Sequence, residues 1–351
     1  MRVLVVTSGA LFVHGGHLVI AEETAAALRR SGHEAEVLIT PQNRFGRQVS
    51  AYWATWLTDV GMTADGHAVD RVISLRFPSY AVRHGRHVCW LNHRMREYYD
   101  LWDDFVRGLG RRGRLKRSLP RMVIRALDKW LLTRNVHRVL AQSRTIQARL
   151  VRMGGIASEV LYPPPPERAY RTDGYGEYIF AVSRLDRLKR LGLLVEAAAL
   201  TRSRGLCVKI AGEGPEEAGL RQRIRDLGLG DRVELLGRIS EDALLGHLAS
   251  CRAVFFAPRD EDYGLVTLQA FRSGKCVVTA TDSGGPTELV RDGENGFVVA
   301  PAAPDVAERL DRLAEDRGLA ERLGQVALRD SRPHTWEGAV RELLRDPGAR
   351  N

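Results

Sequence analysis

Arg184 and Lys189 stand five residues apart in the run VSRLDRLKRLG, directly after the apolar stretch YIFAV at 178–182. Glu261 and Gln269 stand eight apart in RDEDYGLVTLQAF, directly after AVFFAP at 253–258. Two cations at the end of a strand suit a diphosphate, the guanidinium as a fork and the ammonium as a point charge. Surface charges at a helix entrance would give the same pattern. Glu261, in a loop, can accept hydrogen bonds from ligand hydroxyls. The backbone amides of Gly264, Leu265 and Val266 open the next helix, and a helix start favours an anion. Gln269 lies about one turn further in. Taken singly these are turn residues; together they describe a site for a diphosphate flanked by two hydroxyl-rich rings.

Other motifs are weaker. In SGALFVHGGH, Gly15 and Gly16 would let backbone approach a ligand, although a plain turn explains the pair equally well. The pattern G-x-G-x-x-G is absent there, as is a Walker loop, which counts against a nicotinamide or flavin dinucleotide site. The close pairs HGGH and HGRH lack zinc spacing, and Cys89, Cys207, Cys251 and Cys276 show no metal pattern. The cysteines read as buried free thiols of a reducing cytoplasm. Gly212 and Gly214 of IAGEGPE read as a tight turn, and Ser283 to Gly285 as a further flexible loop before a helix.

The elements that must position these residues follow a clear rhythm. Apolar strands at 3–7, 34–39, 71–75, 87–91 and 137–141 alternate with helical patterns up to Pro163–Pro166, a run that cannot continue a helix or a central strand. A second series follows at 178–182, 207–211, 232–236, 253–257, 276–280 and 296–300. Near-continuous apolar strands between amphipathic helices imply parallel sheets covered on both faces, with ligands beyond the carboxyl ends of the strands. The expected division is two parallel-sheet domains, 1–165 and 166–330, followed by a terminal helix in 331–351.

A chain of 351 residues with 44% hydrophobic and 27% charged residues is expected to be soluble, and it holds no run long enough to cross a bilayer. Its start enters a strand directly and lacks the apolar core of a signal peptide. The net charge of +10 is uneven. Basic residues crowd 107–138, which reads either as a solvated helical face or as a surface for anionic lipid or an anionic acceptor. No nucleic-acid motif accompanies the charge.

The runs WLNHRMREYYDLW (90–102), QSRTIQARL (142–150), VLYPPP (160–165), SRLDRLK, GEGPE, EDYGLVTLQAF, SGKCVVTATDSGGPTELV and TWEGAVRELL together resemble glycosyltransferase family 4, the retaining group with the GT-B fold. That resemblance implies an α/β chain of two Rossmann-like parallel-sheet domains facing a central cleft, 1–165 on the acceptor side and 166–330 binding the nucleotide sugar, with the 331–351 helix crossing back to the first. It implies a metal-independent transfer of sugar from a nucleoside diphosphate sugar, UDP- or GDP-linked, to an acceptor hydroxyl of a glycan, lipid-linked glycan or secondary metabolite. His93 matches a family histidine near the transferred sugar. Arg184 and Lys189 match the pair that stabilises the leaving diphosphate, and Gly16, Leu265 and Val266 match backbone contacts to the same group. Glu261 matches the glutamate at the donor sugar, and Glu288 a further family acid. Gln269 stands where the family usually carries a glutamate for the ribose hydroxyls, so a charge is missing there. That departure keeps open a catalytically quiet nucleotide-sugar-binding subunit; a hydrolase or phosphorylase of the same fold is the third reading. The thiols and the lack of a signal or spanning segment lead to an expected cytoplasmic location, with the basic segment available for peripheral contact at the inner face of the membrane.

Overall fold

The computed structural model describes residues 1–10, 15–43 and 46–346. The chain divides into two compact units, 1–166 with 335–351, and 167–334.

In the first unit the chain runs β1 (Arg2–Gly9), α1 (Gly16–Arg30), β2 (Glu34–Pro41), α2 (Gln48–Leu57), β3 (Arg71–Ser74), β4 (His87–Leu91), α3 (Trp102–Val106), α4 (Arg111–Trp130), β5 (Arg138–Ala141), α5 (Arg144–Gly154) and β6 (Glu159–Val160). All six strands are parallel, in the order β2-β1-β3-β4-β5-β6. The strands are apolar throughout because both faces are covered. Along β4, Trp90 points into the layer shared with α1, while Cys89 and Leu91 point into the opposite layer with Tyr52, Tyr99 and Ile124.

The second unit runs β7 (Tyr178–Val182), α6 (Leu191–Leu200), β8 (Cys207–Ala211), α7 (Glu217–Asp226), β9 (Val233–Gly237), α8 (Glu241–Ser250), β10 (Ala253–Phe255), α9 (Leu265–Arg272), β11 (Val277–Ala280), α10 (Gly285–Leu289), β12 (Gly296–Val299), α11 (Ala303–Glu315) and α12 (Arg317–Ser331). Its parallel sheet has the order β12-β11-β10-β7-β8-β9. Chain order reverses between β7 and β10, which leaves a crevice beyond their carboxyl ends. The arginine–lysine and glutamate motifs follow those two strands.

The last helix, α13 (Trp336–Leu344), packs within the first unit. Its buried residues Trp336, Ala339, Val340 and Leu343 recur at helical spacing on one face. Trp336 meets Trp90 edge to face at 6.2 Å between ring centroids, and its Nε1 donates to the Pro165 carbonyl at 3.0 Å. Removing that ring would cost about 3–5 kcal/mol, the usual range for a buried tryptophan.

All four cysteines are free. Cys89, Cys251 and Cys276 are buried, and burial pushes each thiol up to about 12. Cys207 departs from the expected burial. It opens β8, whose first residue lies at the rim of the sheet, and it is partly exposed.

Candidate functional site

In the second unit, Arg184 follows β7 by two residues and is exposed. Its loop rests against backbone that only glycine permits. A Cβ on Gly212 would lie 1.8 Å from the Ser183 carbonyl oxygen, and one on Gly214 would lie 2.3 Å from that of Leu185. Leu185 N–H donates to the Glu213 carbonyl at 2.9 Å, and Ser183 N–H to that of Ala211 at 3.1 Å. The two glycines thus act on the arginine loop itself.

Lys189 ends a single turn of tight helix, Arg187–Lys189, started by the Asp186 carboxylate accepting from Leu188 N–H at 2.9 Å. Its Nζ donates to Glu261 Oε2 at 2.6 Å and lies 5.6 Å from the centre of the Phe256 ring. The next residue, Arg190, adopts φ 50°. Its guanidinium reaches the carbonyls of Ala257 and Pro258 and forms a two-pronged pair with Asp282, at 2.9 and 2.7 Å. Sequence reasoning passed over Arg190. Among the neighbouring cations, only the distant partner at 282 marks it as a clamp.

Glu261 is held by backbone. Its N–H donates to the Ser283 carbonyl at 2.8 Å, and its own carbonyl accepts from Gly285 N–H at 2.9 Å. A Cβ on Gly284 would lie 2.5 Å from the Glu261 carbonyl oxygen, and one on Gly285 would lie 2.5 Å from Tyr263 Cα. The 283–285 run, expected as a flexible loop before a helix, is the seat on which the Glu261 loop rests. Gly264, at φ 85°, then turns the chain into α9, where a Cβ would meet Pro286 at 2.7 Å and Phe256 at 2.9 Å. The N–H groups of Leu265 and Val266 open that helix. Gln269, partly buried, lies four residues on and so on the same helix face as Leu265. Its side-chain amide has no hydrogen-bond partner among the described residues. Glu288 lies within α10.

The first unit carries the other expected residues. Gly15 precedes α1 in extended conformation and Gly16 is its first residue. His93 lies two residues beyond β4, partly buried, and its Nδ1 donates to the Arg94 carbonyl at 2.7 Å. The structure adds His17, noted in the sequence only for lacking zinc spacing. Burial holds its imidazole down at about 3, helped by the charge of Arg76 and by His93. Its buried Nε2 has no hydrogen-bond partner. His17, Arg76 and His93 follow β1, β3 and β4, on the carboxyl side of the sheet where its order reverses between β1 and β3.

Among the described residues, no group of three or more His, Cys, Asp or Glu side chains is arranged to hold a metal ion. No helix among them is long and apolar enough to cross a membrane.

Residues 167–330 match the model of the glycosyl transferases group 1, a span that coincides with nearly all of the second unit. The family match thus lies in the second unit. Over 188 residues it is 31% identical to an alpha-D-kanosaminyltransferase of Streptomyces kanamyceticus, covering 51% of this chain and 48% of that one. Over 207 residues it is 31% identical to a D-inositol 3-phosphate glycosyltransferase of Frankia alni, covering 54% and 50%. The chain thus spans about half the length of the curated relatives it matches. Two solved structures match almost end to end. Anabaena HepE, in complex with UDP and glucose, superposes with a TM-score of 0.69 at 18% identity over 97% of this chain and 98% of that one. WaaG, a glycosyltransferase involved in lipopolysaccharide biosynthesis, superposes with a TM-score of 0.72 at 13% identity over 99% and 100%. These likenesses establish the GT-B fold of the chain.

Proposed function

We propose that the protein transfers a sugar, with retention of anomeric configuration, from a UDP- or GDP-linked donor to an acceptor hydroxyl. The observation that carries this reading is the contact of Lys189 with Glu261 ahead of the start of α9, with Arg184 in the loop after β7, all after the two strands where sheet order reverses. Breaking the sugar–phosphate bond leaves its electron pair on the diphosphate and positive charge on the anomeric carbon. The guanidinium, the ammonium and the N–H groups of Leu265 and Val266 are donors for the first of these charges. Glu261 meets the sugar, and Gln269 the ribose hydroxyls. The acceptor oxygen bonds to the anomeric carbon on the face the phosphate leaves, and its proton passes to a phosphate oxygen. Side-chain cations take the role a metal ion plays in other diphosphate sites, so no metal is required.

The names of the relatives support sugar transfer, and the UDP and glucose bound by HepE support a nucleotide-sugar donor. The test is a screen of UDP- and GDP-sugars with sugar, lipid-linked and small hydroxylated acceptors, run with and without EDTA. Product with an alpha linkage from an alpha donor, undiminished by EDTA, is expected. Donor binding without turnover across the panel would favour a quiet subunit. Activity emptied by EDTA and restored only by magnesium or manganese would overturn metal independence.

A further inference from the structure

The helix α4 presents to solvent a face that a helix on a water-facing surface does not usually carry. Leu115, Leu119, Met122, Ala126 and Trp130 follow one another at steps of three and four, so they form one row along a helix of 20 residues, about 30 Å long. Leu115 is 76% exposed, Leu119 63%, Met122 64% and Trp130 48%. The opposite side is fixed inward. Ile124 and Asp128 are its buried residues, and the hydroxyls of Tyr52, Tyr80 and Tyr99 all donate to the Asp128 carboxylate. Arg121 lies over the Trp102 ring at 4.3 Å, and Arg125 donates to the Met153 carbonyl at 3.2 Å. With that side tethered, the apolar row cannot roll inward.

Basic residues border the row. Arg111, Arg112, Arg114, Lys116 and Lys129 are exposed, and the helix's one acid, Asp128, is buried. Beside Trp130 the apolar surface continues onto α2, where Val49, Trp53 and Leu57 are exposed at steps of four. Between the two helices lies a groove of about 300 Å³ lined by Val49, Trp53, Trp56, Leu127, Trp130 and Leu131.

We propose that this face of the first unit lies on an anionic lipid bilayer, with the α4 row and Trp130 immersed at the headgroup boundary and the groove taking an acyl chain. An apolar row flanked by arginine and lysine is the pattern of a helix that lies in the interface plane, and no described helix spans a bilayer. Charge selects the occupant. A second copy would set five exposed cations against five like ones, whereas an anionic leaflet attracts them, each contributing about fivefold in affinity near the surface. The inference stands apart from the sugar-transfer reading and is measured without any donor.

The test is sedimentation of the full chain with vesicles of phosphatidylcholine alone or mixed with phosphatidylglycerol, at rising salt. A companion variant carries Leu115→Gln, Leu119→Gln and Met122→Gln, all exposed positions, with its folding checked by urea unfolding. Wild type should bind the mixed vesicles at least about tenfold more tightly than neutral ones and release them as salt shortens the Debye length. The triple variant should lose about tenfold or more. Brominated lipid should quench wild type more than Trp130→Phe. Equal or absent binding to both vesicles overturns the proposal. So does undiminished binding of the triple variant, which would mean adsorption by charge alone. Concentration-dependent self-association abolished in the triple variant would assign the face to a second copy and likewise overturn it.

Discussion

Changing Glu261 to glutamine should separate two effects of its carboxylate. Lys189 Nζ lies 2.6 Å from Glu261 Oε2, and the side chains are 20% and 22% exposed. At that distance an effective dielectric of about 20–40 gives roughly 3–6 kcal/mol of attraction, most of it offset by taking both charges out of water. A diphosphate that engages the Lys189 ammonium must compete with this pairing and approach a like charge. Glutamine keeps an acceptor oxygen for Lys189 and removes the charge, so the net relief is about 1 kcal/mol, or about fivefold in affinity. UDP alone should therefore bind Glu261→Gln about fivefold more tightly. Transfer should fall about a hundredfold, because the charged contact to the developing sugar cation is lost. Calorimetry with UDP and initial rates with the matched UDP-sugar read the two effects. The part of the gain that comes from freeing Lys189 should be absent on a Lys189→Ala background, since the cycle isolates that coupling from the like-charge repulsion. Unchanged or weaker UDP binding by Glu261→Gln would show that Lys189 is not shared between carboxylate and diphosphate, and the leaving-group assignment would fall.

Three further outcomes follow from the same geometry. Arg184→Ala should lower turnover about a hundredfold with little change in urea stability, because its exposed guanidinium makes no ion pair among the described residues; wild-type turnover with the correct donor would remove it from the mechanism. Gln269→Glu should tighten UDP by about 1 kcal/mol through charge-assisted bonds to ribose, and weaker binding in the calorimeter would refute that role. The first unit should lose stability as pH falls below about 6.5, because burial holds His87 and His17 down at about 3 and the unfolded chain takes up the protons first. For the fully buried His87 the slope is about 1.4 kcal/mol per pH unit, and His87→Gln should flatten it. All six tryptophans lie in this unit, so their fluorescence in urea reports it selectively; a slope unaltered by the substitution would contradict the assignment.

The sheets were legible because parallel strands buried on both faces leave uninterrupted apolar runs, as in HVCWL and AVFFA. The helix α2 was not. Its exposed side carries Val49, Trp53 and Leu57 while Ala51, Tyr52 and Thr55 are buried, so no polar face marks its period. The burial of the 107–138 segment was hidden for a different reason. Its charge shows in the sequence, but which apolar residues turn outward depends on three tyrosines, at 52, 80 and 99, that anchor Asp128. Glycine motifs were legible only in part. Residues 283–285 read as a flexible loop before a helix, and only the distances to Glu261 and Tyr263 reveal backbone packed on backbone.

The stretch SRLDRLKR holds four cations within seven residues, and side-chain type alone cannot rank them. Contacts made across the fold do. Arg190 is bound to Asp282 and to the carbonyls of Ala257 and Pro258, the strand exit that leads to Glu261. Asp282 in turn accepts through its carbonyl from Asp260 N–H at 2.9 Å. Arg190 is therefore a positioning residue whose loss would let the Glu261 loop drift. Lys189 is committed to Glu261 until a competing anion arrives, while Arg187 is exposed and Arg184 lies nearest the end of β7. The nearest pair in sequence, Lys189 and Arg190, thus divides into one cation available by exchange and one fixed in the scaffold. What divides them is the left-handed backbone at Arg190, φ 50°, which turns its side chain toward the 257–282 loops.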